Sequence, residues 1–256
     1  MKITILGSGT SQGVPVIGCN CNTCISDNPK DHRLRSSVLI ESKGRNILID
    51  IGPDFRQQML TNKVNHIDSI LLTHEHNDHV IGLDDIRPFN FKQNLDMPVY
   101  ALDRVLNDLS NKFGYIFNDS PYPGIPRIVR HPLSFNVDFV LFDDIIITPI
   151  KIMHGTLPIL GFRVGNFAYI TDASLIEEQE MSLLDGLDVL VLNALQYRHH
   201  YSHFTFREAL DVANKINSKA TYLTHLSHDL GRHDDLLKIM PDHIFPSYDS
   251  LVIHIN

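Results

Sequence analysis

One stretch limits what this chain can fold into more than any other: Ile67-Asp68-Ser69-Ile70-Leu71-Leu72-Thr73-His74-Glu75-His76-Asn77-Asp78-His79-Val80-Ile81-Gly82-Leu83. Its apolar run reads as a buried strand that ends at Thr73. Four metal-ligating side chains follow within six residues: His74, His76, Asp78 and His79. In an extended chain, residues i and i+2 project to the same side, so His74 and His76 converge on one ion. The pattern Val80, Ile81, Leu83, Ile86 then turns helical, which sets Asp78 and His79 at a helix start facing a second position nearby. A His-rich solvated turn is the alternative, but a buried strand seldom ends in four donors that serve nothing. The expectation is a metal site.

His-x-His-x-Asp-His behind an apolar strand resembles the signature of the metallo-β-lactamase superfamily. The resemblance implies an α/β fold, a four-layer αβ/βα sandwich, with residues 1–256 as a single domain. It also implies further donors in a set order. Strands over 139–142 and 145–152 lead to His154, and a hairpin follows: Leu160–Val164, a Gly165-Asn166 turn, then Phe167-Ala168-Tyr169-Ile170-Thr171-Asp172. An apolar strand over 187–192 and a helix over 205–217 precede Ala220-Thr221-Tyr222-Leu223-Thr224-His225. Leu223-Thr224-His225 echoes Leu72-Thr73-His74, which suggests two β-rich halves with ligands at equivalent edges. By the resemblance, one metal takes His74, His76 and His154, the other takes Asp78, His79 and His225, and Asp172 lies between them. Asp50 ends the second strand of a hairpin over 37–50. The resemblance puts it behind the metal site, orienting the ligand loop, and a turn acid is the alternative.

Gly7-Ser8-Gly9-Thr10-Ser11-Gln12-Gly13 follows a first strand over 2–6. Its third glycine comes one place late for a dinucleotide fingerprint, and no helix pattern follows, so the glycines are expected to turn the backbone beneath the metal centre. Cys19, Cys21 and Cys24 can supply three ligands of a tetrahedral zinc, with a strained disulfide or inert thiols as alternatives. Their place after the first strand resembles the branch that holds the phosphonate-operon cyclic phosphodiesterase and the PqqB-like proteins. The resemblance adds His228 as the fourth ligand of a structural zinc.

A net charge of −8 with no run of Lys and Arg argues against holding nucleic acid through its backbone. The N-terminus shows no signal-peptide pattern and no apolar run nears membrane-span length, so the cytoplasm is expected. The odd cysteine count, clustered in six positions, does not resemble a disulfide framework.

Two divalent ions carry +4, Asp78 and Asp172 return −2 and a bridging hydroxide −1, leaving about +1, which suits an anionic diester better than a neutral amide. The expected enzyme is a phosphodiesterase loaded with two divalent metals, manganese or zinc, acting on a small phosphate diester such as a cyclic ribose phosphate. Asp78 holds the attacking hydroxide in this reading. His203-Phe204-Thr205 resembles the His-Ser-Thr element of tRNA 3′-processing nucleases, which makes His203 the candidate partner of the leaving oxygen. His199 and His200 are nearby alternatives. Arg87 and Phe89, with the aromatic stretch Tyr115–Pro126, are candidate pocket or lid residues. The rival readings are a tRNA-maturing endoribonuclease, a PqqB-like cofactor-biosynthesis protein and a non-catalytic metal-binding module. Superfamily relatives often form homodimers.

Overall fold

Strands whose two faces are both apolar must be covered on both sides, and that requirement dictates this architecture. The computed structural model describes residues 1–117 and 124–255. Its strands in chain order are β1 (Lys2–Gly7), β2 (Ser37–Ser42), β3 (Arg45–Ile49), β4 (Ser69–Leu71), β5 (Met97–Leu102), β6 (Ile128–Leu133), β7 (Phe139–Leu141), β8 (Ile145–His154), β9 (Leu157–Val164), β10 (Phe167–Ile170), β11 (Val189–Asn193), β12 (Ala220–Thr224), β13 (Ile244–Pro246) and β14 (Leu251–His254). They form two sheets, ordered β14-β1-β2-β3-β4-β5-β6 and β13-β12-β11-β10-β9-β8-β7. On β10, Phe167 and Tyr169 enter the core shared by the sheets, while Ala168 and Ile170 join a second core under helices. β11 repeats the division, with Val189 and Val191 on one side and Leu190 and Leu192 on the other. Each of the larger side chains contributes roughly 2 kcal/mol by leaving water.

Helices close the outer faces. Ala209, Ala213 and Ile216 of the helix Phe206–Ile216 pack on the second sheet. Thr205 starts that helix through a capping box with Glu208, each side chain serving the other's backbone N–H. Phe55 and Met59 of the helix Phe55–Thr61, and Val105 and Leu109 of the helix Asp103–Lys112, join the core of the first sheet. The result is the four-layer αβ/βα sandwich. No helix among the described residues is long and apolar enough to cross a membrane.

The halves match strand for strand. In each, an antiparallel trio (β1-β2-β3 or β8-β9-β10) leads into parallel strands (β4-β5-β6 or β11-β12-β13). This alignment corrects the sequence echo: β12, which delivers His225, corresponds to β5, and β4 corresponds to β11. The matching positions are Asp50 after β3 and Asp172 after β10, both left-handed with φ of +63° and +58°.

The helix expected after His79 is one α-turn, Asn77–Val80, followed by a 3-10 stretch, Ile81–Ile86. Gly82 N donates to Ile51 O at 3.0 Å, so it does not bond back to Asp78. Gly52 and Gly82 let the two backbones touch: a Cβ on Gly52 would lie 2.1 Å from Asp78 O, and one on Gly82 2.1 Å from Gly52 O. Gly52→Ala is therefore expected to cost about 1–3 kcal/mol by forcing the ligand loop aside. A urea midpoint unchanged from the parent, with the same slope, would contradict this packing argument.

Candidate metal centre

The donors gather where strands end on one edge of the sandwich. His154 is the last residue of β8, Asp172 lies two residues beyond β10, and His225 follows β12 directly. Beyond β4, the turn into Asn77–Val80 carries His74, His76, Asp78 and His79. Two donor groups result, His74 with His76 and His154, and Asp78 with His79, Asp172 and His225. Within each, the donor atoms lie within 4.8 Å of one another. His74 Nε2 faces His76 Nδ1 at 3.0 Å. His74, His79, Asp172 and His225 are buried, while His76 is open to solvent.

Three of these histidines have their outer nitrogen tied to the protein, which leaves the inner one free as a donor. The Thr73 hydroxyl donates to Asp50 and so accepts from His74 Nδ1 at 2.9 Å. His79 Nδ1 donates to Asp50 Oδ2 at 2.7 Å, and His154 Nδ1 donates to Ser202 O at 2.8 Å. His225 differs: its Nδ1 lies 3.2 Å from the Ser36 hydroxyl, which donates to Gly9 O, and 3.3 Å from Asp172 Oδ2, while its Nε2 lies 3.3 Å from the Thr10 hydroxyl. Asp50 is wholly buried and serves His79, Thr73 N and the Thr73 hydroxyl at once. Asp50→Asn is expected to weaken metal binding by roughly 10–100-fold. Competition with a chromogenic chelator measures this, and parental affinity would show that the relay does not orient the histidines.

The electrostatics favour a cation. Burial drives His74 well below its ordinary range, helped by neighbouring His79. His79 itself goes the other way. Burial opposes its charge, but Asp78, Asp172 and Asp50 surround it and raise it well above normal. Burial would raise Asp172, yet His225 and His79 outweigh it and hold the carboxyl well below its usual range. His79 Nε2 is buried between Asp78 Oδ2 at 3.1 Å and Asp172 Oδ2 at 3.3 Å. Imidazole nitrogens and ionised carboxylates crowded together in a buried site match the donor chemistry of divalent cations.

A second constellation joins the loop between β1 and β2 to the loop after β12. Cys19, Cys21 and Cys24 place their Sγ atoms 3.3, 3.3 and 3.5 Å from His228 Nδ1. One imidazole proton cannot serve three sulfurs, whereas a tetrahedral zinc sets sulfur and nitrogen about 3.5 Å apart. Hydrogen bonds led by the one from the Cys24 backbone lower the Cys21 thiol to about 6, and burial pushes Cys24 up to about 11. The cysteines are not disulfide-bonded.

Both groups border one cavity of about 450 Å³, walled by Thr10, Gln12, Gln196, Tyr201 and His203 among others. His203 Nδ1 lies 3.7 Å from Asp172 Oδ1, and its ring stacks on His225 at 4.9 Å. His200 lines the cavity and His199 points to solvent. Arg87 and Phe89 are corrected: Arg87 pairs with Asp84 at 2.7 Å, and Phe89 packs on Phe55 at 6.0 Å, away from the metal donors. Phe89 fills core space, whereas Phe91 and Tyr115 are exposed. Of Tyr115–Pro126, residues 118–123 lie outside the described residues. Sequence reading missed Thr10, Ser36, Thr73, Ser202 and Tyr201. No local pattern marks them, because their partners come from distant strands.

Fold and donors together define a metal-site sandwich with a cavity at its strand ends. A family model described as the β-lactamase superfamily domain matches residues 45–226. The protein named octanoyltransferase from Porphyromonas gingivalis is 42% identical over 98% of this chain and 51% of its own length, so the chain spans about half of that relative. A ribonuclease Z from Clostridioides difficile is 30% identical over 84% of this chain and 88% of that protein. Among solved structures, a diphosphatase from the PhnP family superposes with a TM-score of 0.93 at 38% identity, covering 100% of this chain and 98% of that one. The chain belongs to the metallo-β-lactamase superfamily.

Proposed function

We propose that residues 1–256 act as one unit, a dinuclear-metal phosphodiesterase for small anionic phosphate diesters. His74, His76 and His154 would hold one divalent ion, zinc or manganese, and Asp78, His79 and His225 the other, with Asp172 shared. Cys19, Cys21, Cys24 and His228 would hold a structural zinc. The observation that carries this reading is the pair of adjoining donor groups opening into one cavity. When bound, the two ions polarise phosphoryl oxygens and lower the pKa of the attacking water. The protein's part is positional. Asp78 lines the cavity and would hold the attacking hydroxide, and its carboxylate stays ionised because His79 outweighs burial. Burial holds His203 down to about 3, so its resting ring is neutral and can donate an N–H to the leaving oxygen.

The likeness to a diphosphatase supports a phosphate diester or diphosphate ester as substrate. The likeness to ribonuclease Z favours pre-tRNA, but the net charge of −8 opposes a long polyanion. Octanoyl transfer would need an activated nucleophile, and among the described residues neither Cys nor Lys lines the cavity. The cytoplasm is the proposed compartment, where three free thiols stay reduced. The test is phosphorus NMR of the manganese-loaded protein with 5-phosphoribosyl 1,2-cyclic phosphate and with a diphosphate diester, beside a pre-tRNA cleavage gel. Conversion of either small ester, abolished by His76→Ala, is expected. Cleavage of pre-tRNA alone would replace this reading with the ribonuclease one.

A further inference from the structure

We propose that Tyr201, backed by His200, is a stacking subsite for a planar aromatic base carried by the substrate, an inference that rests on the phosphodiesterase reading. Four rings run in file from the metal centre to solvent. His225 and His203 stack at 4.9 Å and 17°, His203 and His200 meet at 5.0 Å and 52°, and His200 and Tyr201 stack at 5.1 Å and 27°. Tyr201 ends the file. It is 78% exposed, although it stands on the wall of the cavity. Gly155 lets its backbone approach the ring, since an added Cβ there would lie 3.4 Å from two ring carbons. Stacked on His200 and otherwise largely exposed, the ring is open to a ligand.

The rest of the wall says what that ligand is. Ser11, Gln12 and Gln196 offer neutral donors and acceptors, and among the described residues no Lys or Arg lines the cavity. Arg198 is exposed and pairs at 3.1 Å with Asp229, which does line it. A neutral, flat group with hydrogen-bonding edges would find a stacking face and two side-chain amides, which is the chemistry of a nucleobase. The substrate class is therefore a nucleoside-bearing diester or diphosphate ester rather than a simple sugar phosphate.

Calorimetry of the zinc-loaded protein with adenosine 5′-monophosphate and with ribose 5-phosphate isolates the base. Parent and Tyr201→Phe are expected to bind the nucleotide at least about tenfold more tightly, and Tyr201→Ala to bind the two alike. Equal binding by the parent, or a preference that survives Tyr201→Ala, overturns the subsite. Turnover of bis(p-nitrophenyl) phosphate keeps the two ideas apart. If that ester is cleaved but no base preference is seen, the subsite alone is lost. If no phosphate ester turns over, the diesterase reading fails and the subsite with it.

Discussion

Asp172→Ala is expected to leave both catalytic positions without metal and to lower phosphoester turnover by roughly 10⁴-fold, as happens when one member of a cooperating set is removed. Asp172 Oδ2 lies 3.3 Å from His79 Nε2 and 3.3 Å from His225 Nδ1, and Asp172 also groups with His154 and His203. Without it, Asp78 is the one carboxylate left in the two donor groups to offset two divalent charges. Alanine at φ +58° adds strain of about 1–2 kcal/mol, so Asp172→Asn serves as the control, because asparagine tolerates that backbone. Metal content per chain by plasma mass spectrometry and turnover are read together. Two bound metals with full activity in either variant would sink the dinuclear assignment.

Cys21→Ser is expected to lose the structural zinc and melt roughly 10 °C lower, while the folded fraction keeps its intrinsic chemistry. The reasoning is linkage. A metal present at about a thousand times its dissociation constant stabilises by about 4 kcal/mol, and each kcal/mol shifts the melting point of a chain this size by about 2–4 °C. The clip joins loops 207 residues apart in sequence, and the Thr23 hydroxyl reinforces it by donating to His228 O. Calorimetric melting with zinc analysis checks this outcome. A variant as stable as the parent yet inactive would move the cysteines into the catalytic site.

Much of the site was legible because its chemistry is local. His74, His76, Asp78 and His79 sit on one short segment, where extended and helical geometry alone aim them inward. His154, Asp172 and His225 were legible as donors after apolar strands, and only through a family pattern. The relay behind them was not. Thr73 reaches Asp50 because β4 pairs with β3, and Ser202 reaches His154 because its loop crosses the end of β8. The aromatic stretch around Phe89 was misread toward the pocket, since composition cannot separate a lid from a core.

Sequence by itself determined the strands that carry the candidate donors and the cysteine cluster, because these follow from side-chain period and from donors close along the chain, but it placed no element between residues 84 and 136. Only the tertiary structure decided which strands are counterparts, where the outer histidine nitrogens bond and that Tyr201 faces the cavity. Those depend on strand pairing and on backbone approach between distant segments, such as Gly52 against Gly82, which no local pattern encodes.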